Sequence, residues 1–317
     1  MKITLLTESP MPTLSLPLDV LEEVAGFLKR RHLATFARVS KACNGCSTRF
    51  LYRHIFVTDV SITVECCKSL MRESTRSQAV RSFSLYERSV SPKLILQLLI
   101  DLPLRDSDDE ALALSLTRAA LFRMSALTRL TLSINSPLPD NFFQDLFFPH
   151  LQGLSLDLSL NTPAELGPGV DCLYTFVRQH RYTLQRLHMI PCYGRCPLPK
   201  VAIGPLPQLV QFSGPLDLIA AVLPGSCVAE ISVNSMAHLD RFDEEQLTSL
   251  HDVNIMKMDI VATPQELFGL SDMLHHASIG KSLVYCEVLI LDDFRGDCAS
   301  DIMDVRPFIL IVFIPFA

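Results

Sequence analysis

The chain has 317 residues, 49% of them apolar, and a formal net charge of −6. This composition supports a sizeable core and excludes wholesale disorder, and the length fits about two domains of ~150 residues each. The acidic balance gives no global electrostatic case for nucleic acid, no stretch reaches the ~18 apolar residues of a membrane span, and the opening MKITLLTESP lacks the apolar run of an export signal. No nucleic-acid or membrane partner is therefore expected. The ten cysteines are expected as reduced thiols in the cytoplasm or nucleus. Cys66, Cys67, Cys227 and Cys286 lie in apolar sequence surroundings, where free cysteine acts as a small buried hydrophobe.

Residues 1–13 read as a polar, proline-interrupted leader. Pro17 fits the first turn of a helix, where its missing N–H costs nothing. Val20, Leu21, Val24, Phe27 and Leu28 then give an amphipathic helix, with Lys29, Arg30 and Arg31 at its cation-favouring C-terminal end. A second short helix carries Leu33, Phe36 and Ala37. Ser40 is an N-cap candidate for a third, with Cys43, Cys46 and Phe50 at spacings of three and four. Three short helices bury little surface, so this unit, over 14–57, is expected to need a partner or a neighbouring domain. A linker helix is expected over 58–79.

From residue 80 the texture changes. VRSFSLYE at 80, LTRLTLSI at 127, LQGLSLDLSL at 151, LQRLHMI at 184, LVQFSGP at 209, VAEISVN at 228 and LVYCEVLIL at 283 share the shape L-x-x-L-x-L, with helix-like segments between them. Strand followed by helix at intervals of 20–30 residues is the pattern of a leucine-rich-repeat-type solenoid. The spacing is irregular, so the repeats are degenerate. An ordinary open α/β sheet is the alternative. LTSLHDVNIM, near 250, is a weak copy. The gap between 80 and 127 requires a missed repeat or a helical insertion such as SPKLILQLLI or DEALALSLTRAALFRM. The apolar tail RPFILIVFIPFA reads as a last buried strand or an abnormal terminus. The expected fold class is α+β or α/β, with a three-helix unit followed by a solenoid over 80–317.

Chemistry-bearing motifs are sparse. Cys43-x-x-Cys46 shares a helical seam with Phe50, so packing accounts for it; zinc would require a second ligand pair, which the adjacent Cys66 and Cys67 do not form. His188, Cys192 and Cys196 form an H-x3-C-x3-C pattern that is not a common zinc spacing. His275 and His276 suit a helix C-terminus. The acidic runs at Asp106–Glu110 and Asp243–Glu245 suit helix starts. There is no G-x-S-x-G, glycine-rich phosphate loop or H-E-x-x-H. No catalytic residue, cofactor or metal site is predicted.

The stretch LPLDVLEEVAGFLKRRHLATFARVSKAC resembles the F-box, through Leu16-Pro17, Asp19-Val20-Leu21, Val24, Phe27-Leu28, Leu33, Phe36 and Val39-Ser40-Lys41. FLYRHIFV, from Phe50 to Val57, is similar to what often follows an F-box in fungal members, and the repeats resemble the leucine-rich region that commonly follows. The resemblance implies the substrate-recognition subunit of a Skp–cullin–F-box ubiquitin ligase. Leu16, Pro17, Leu21, Val24, Leu28, Leu33, Phe36 and Val39 would supply the adaptor surface, some of them also holding the helices together, with Lys29, Arg30 and Arg31 as a charged rim. The repeats would hold a protein substrate, and the chain itself would not be an enzyme. Cys43 departs from the large aromatic that many members carry, a change expected to weaken packing of the third helix. Two alternatives stand beside this reading: a repeat scaffold that uses the F-box-like unit without assembling a ligase, and an unrecognised enzyme with an α/β core.

Overall fold

The computed structural model describes residues 16–86, 107–134, 138–157, 169–190, 203–215, 218–219, 222, 225–235, 257–262, 285–290 and 308–312. The chain divides into two compact units, Met1–Arg53 and His54–Ala317. Within the described residues of the first unit lie three helices, α1 (Leu18–Phe27), α2 (Arg30–Phe36) and α3 (Lys41–Leu51). Pro17 stands just before α1, and its carbonyl accepts the Leu21 N–H at 3.2 Å. α1 ends at Phe27 because Leu28 turns extended, at φ −80° and ψ 137°. The basic run consequently lies elsewhere than expected: Lys29 precedes α2, and Arg30 and Arg31 open it, at the positive end of its dipole rather than closing α1. Ser40 caps α3 as expected, its Oγ accepting the Cys43 N–H at 3.1 Å.

Among its described residues the second unit has one sheet of ten strands in strict chain order. These are β1 (His54–Val57), β2 (Ser82–Tyr86), β3 (Arg129–Ser133), β4 (Gly153–Asp157), β5 (Arg186–Ile190), β6 (Gln211–Pro215), β7 (Glu230–Ser235), β8 (Lys257–Ala262), β9 (Tyr285–Ile290) and β10 (Phe308–Val312). β1 to β9 are parallel, and β10 is antiparallel to β9. Helices α4 (Val60–Arg72), α5 (Ser74–Ala79), α6 (Ser107–Leu121) and α7 (Gly169–Gln179) lie on the connections.

Alternation explains the sheet's two faces. Inward residues stack rung upon rung, from Ile55 through Phe83, Leu130, Leu154, Leu187 and Phe212 to Ile231, and all are buried. A leucine or valine two residues ahead of each of β2 to β7 is buried as well: Val80, Leu127, Leu151, Leu184, Leu209 and Val228. This is the first leucine of L-x-x-L-x-L, and burying it closes each repeat against the next. Each of these side chains contributes about 1.5–3 kcal/mol of burial. Beside these residues, one backbone carbonyl per rung accepts two N–H groups from the next. The Thr128 carbonyl takes those of Gln152 and Gly153 at 2.8 and 3.0 Å, and the Gln152 carbonyl takes those of Gln185 and Arg186 at 2.8 and 2.9 Å. Arg81, Gln185 and Val210 do the same.

Several expectations change. The sheet begins at His54, since β1 pairs with β2 and Ile55 and Val57 are buried; HIFV belongs to the second unit. The 58–79 segment is part of that unit rather than a linker. Asp59 Oδ1 caps α4 through the N–H groups of Ser61 and Ile62, and α4 packs against α6, with Cys67 Sγ 3.7 Å from Thr117 Oγ1. β2 and β3 are hydrogen-bonded neighbours, and the gap between 80 and 127 holds a helical segment, α6, with no further strand among its described residues. The rung expected near 250 is β8, just downstream, where Met258 and Ile260 pair with Ile231 and Val233. Cys227 is exposed and Cys66 half-buried, not core residues; only Cys67 of that adjacent pair is interior. The tail does form a strand, β10. Cys192, Cys196, His275, His276 and Asp243–Glu245 lie outside the described residues, and of Asp106–Glu110 only the helical backbone from Ser107 onward is described. Among the described residues no helix is long and apolar enough to cross a membrane.

In β6 the second inward position is Gly214. A Cβ there would lie 2.7 Å from the Phe212 ring, so Phe212 fills the space that Leu132 and Leu156 fill for themselves in β3 and β4. The pairing of β6 with β7 shifts register at Gly214/Pro215.

Candidate functional site

The helical unit has a small core: Leu21, Ala25, Leu33, Cys43 and Cys46, with Leu28, Phe36, Phe50 and Leu51 packed against it. Cys43 is 5% exposed, so the third helix is seated through this thiol. Cys46 is interior as well, and desolvation by burial pushes its thiol pKa up. On the rim Arg49 and Glu22 pair at 2.9 Å, a surface contact contributing about 0–1 kcal/mol.

The eight residues predicted for the adaptor surface separate by position. Leu21 and Leu33 are interior and hold the helices together, which removes them from the accessible surface. Leu28 and Phe36 are half-buried. Leu16, Pro17, Val24 and Val39 are exposed. The structure adds Leu18, Val20 and Phe27, the last 83% exposed. Val20, Val24 and Phe27 stand at i, i+4 and i+7 on α1 and share one face, away from Leu21 and Ala25. A helix apolar on two faces in a unit this small leaves one face for another body. The signal was present in the sequence: the α1 seam holds more apolar positions than one buried stripe requires.

In the second unit, the outward residues of the parallel strands form an open face. Its floor is mostly small: Ser84, Thr131, Ser155, His188, Ser213 and Ser232 stand in one register row, with Gly153 in the next. Exposed aromatics Phe56 and Tyr86, with ring centroids 5.1 Å apart, stand at its β1 end. His188 lies further along, its pKa lowered by burial and partly restored by Asp157. Sequence alternation marks these residues as outward but cannot show which of them are neighbours, because that depends on register.

Residues 13–54 match the F-box domain family. The chain carries an F-box. The match spans α1 to α3 and ends where β1 begins. No curated protein matches the chain. F-box domains bind Skp-type adaptors.

Proposed function

We propose that this chain is the substrate-recognition subunit of a Skp–cullin–F-box ubiquitin ligase. The observation that carries the proposal is the unpartnered apolar face of the F-box: Val20, Val24 and Phe27 on α1, with Leu16, Pro17, Leu18 and Val39 also exposed. Burying one large apolar side chain at an interface contributes about 1.5–3 kcal/mol, and a few central anchors carry most of an interface's energy. Leu28 and Phe36, half-buried, would stand between the two roles. The sheet unit fits a degenerate leucine-rich-repeat solenoid. Nine parallel strands in chain order, and a buried leucine or valine two residues ahead of six of them, support that reading. Its open face would hold a protein substrate. The work asked of the chain is positional: a bound substrate lysine is held near a charged ubiquitin carrier, which raises its effective concentration. This role asks neither a nucleophile nor a cofactor of the chain.

The test is co-purification of the full chain with a Skp-type adaptor and cullin from cells. Val24→Asp and Phe27→Asp should each reduce adaptor capture about 30-fold or more, as loss of a hot-spot anchor of ~2 kcal/mol does, without unfolding a unit whose core they do not enter. Unchanged capture by both variants would refute the interface. Capture of adaptor without cullin would make the chain a scaffold rather than a ligase subunit.

A further inference from the structure

The open sheet face carries two guanidiniums that no acidic group among the described residues answers. Arg129 on β3 and Arg186 on β5 occupy one register row, with Gly153 of β4 between them. Both are exposed, and among the described residues neither side chain makes an ion pair or hydrogen bond. Among the described side chains of this face two are acidic, and neither pairs with these arginines: Glu230 accepts from Gln211 Nε2, and Asp157 accepts from Ser133 Oγ at 3.0 Å. Both arginines line a groove with Thr131, Gly153, His188 and Gln211.

The Arg129 stem lies beside Gly153: a Cβ there would sit 3.4 Å from Arg129 Cγ, an ordinary contact distance. Polar groups surround the pair without neutralising it. His188 titrates below its ordinary range because of its burial, so near neutral pH it offers a hydrogen bond rather than a charge. In a chain of net charge −6 this is a local cationic spot.

The spacing points to a class of ligand. Two strand intervals of about 4.8 Å place the arginine backbones roughly 10 Å apart. In an extended polyproline-II-like peptide, residues three apart recur on one face every ~9.3 Å. Planar guanidiniums take carboxylates in paired hydrogen bonds. The floor of Thr131, Gly153 and Ser155 leaves room for a backbone to pass over it.

We infer that this groove binds an extended acidic segment of a partner protein, two of whose carboxylates pair with Arg129 and Arg186. The inference deepens the receptor reading and rests on it only in taking the occupant to be a protein.

Fluorescence anisotropy of the full chain with a short labelled peptide of Ala, Ser and Pro bearing two Glu three residues apart tests it. Comparison peptides carry Gln, Lys or phosphoserine at the same places. The Glu peptide should bind and the Gln and Lys peptides should not. Arg129→Gln and Arg186→Gln should each weaken binding about tenfold, the loss expected for one charge-assisted pair, and added salt should weaken it further. Absence of binding, equal binding of Glu and Gln peptides, indifference to both substitutions, or binding of the phosphoserine peptide alone would overturn the inference. Adaptor capture is measured on the same preparations. Capture without Glu-peptide binding removes this inference and leaves the receptor reading standing; Glu-peptide binding without capture does the reverse.

Discussion

His180 is a buried switch point for stability. It follows α7 directly and is 2% exposed, packed among Phe147, Phe148 and Phe176 with ring centroids 5.4, 6.0 and 4.4 Å away. Its Nε2 accepts the Phe148 N–H at 2.9 Å, which a protonated nitrogen cannot do, so Nδ1 carries the hydrogen and donates to the Phe176 carbonyl at 2.8 Å. The Phe148 bond requires the neutral ring; the Phe176 bond survives protonation and opposes the shift, but burial outweighs it and lowers the pKa from the ordinary 6.5. The sign follows. Above about pH 6.5 the ring is neutral folded and unfolded, and its contribution is fully present. As pH falls below that value the unfolded chain takes up a proton that the folded chain refuses, and stability is lost until the folded pKa is reached. The loss between pH 7.5 and 5.5 has an upper limit of about 1.4 kcal/mol, one tenfold step in protonation of the unfolded ring. His180→Leu keeps apolar volume but strands a buried N–H at about 1–3 kcal/mol and loses the carbonyl bond at about 0.5–1.5 kcal/mol. The variant should thus be about 2–4 kcal/mol less stable at pH 7.5, with a pH dependence flatter by up to that 1.4 kcal/mol. Urea denaturation at the two pH values reads both quantities. Exchange of the Phe148 amide supplies a local measure, useful because the chain has two units and global unfolding need not be two-state. His188 titrates in the same direction, but both proteins retain it, so it cancels in the comparison. An unchanged pH slope together with unchanged protection of the Phe148 amide would refute the reasoning.

Other outcomes follow from the packing. Leu154→Ala should cost about 2–5 kcal/mol, since Leu154 is fully interior between Leu130 and Leu187, and denaturant titration measures it. Gly214→Leu should destabilise the sheet unit through collision with Phe212, and Phe212→Leu in the same chain should recover much of the loss by restoring the rung of β3 and β4; a double variant no better than the single would show that the ring is not the obstacle. Cys67, its thiol pushed up to about 12 by burial, should resist alkylation at pH 8, whereas exposed Cys227 should react promptly; mass spectrometry of iodoacetamide-treated chain distinguishes them.

Much of the sheet is legible from sequence because its inward positions obey a period of two and its rungs reuse one leucine spacing. Where leucine gives way to other apolar residues the pattern fades. β1 is only four residues and joins directly to a helix-rich segment, so HIFV reads as the end of the preceding unit. β8 places Met258 and Ile260 where other rungs carry leucine, which draws the eye upstream to LTSLHDVNIM. In the F-box, helical spacing marks both Leu21 and Phe27 as apolar, but which of them faces the core depends on how α1 meets α3. The arginine pair is further from reach, because Arg129 and Arg186 are 57 positions apart and become neighbours only through register. His180 carries no motif; its decisive partner, the Phe148 N–H, lies 32 residues away.

The doubled acceptance by one carbonyl per rung has a consequence for how this chain can vary. The joint between rungs is made of backbone, so it does not depend on which side chains flank it or on how much chain lies between. It spans the 19 residues from Gln211 to Glu230 and the 47 from Ser82 to Arg129 alike. Sequence and loop length are thus free to drift while the rungs stay in step, which is why the repeats look so unlike one another. The vulnerable change is proline at a donor position such as Gln152, Gln185 or Val210, where removing one N–H would open the joint while leaving every leucine in place.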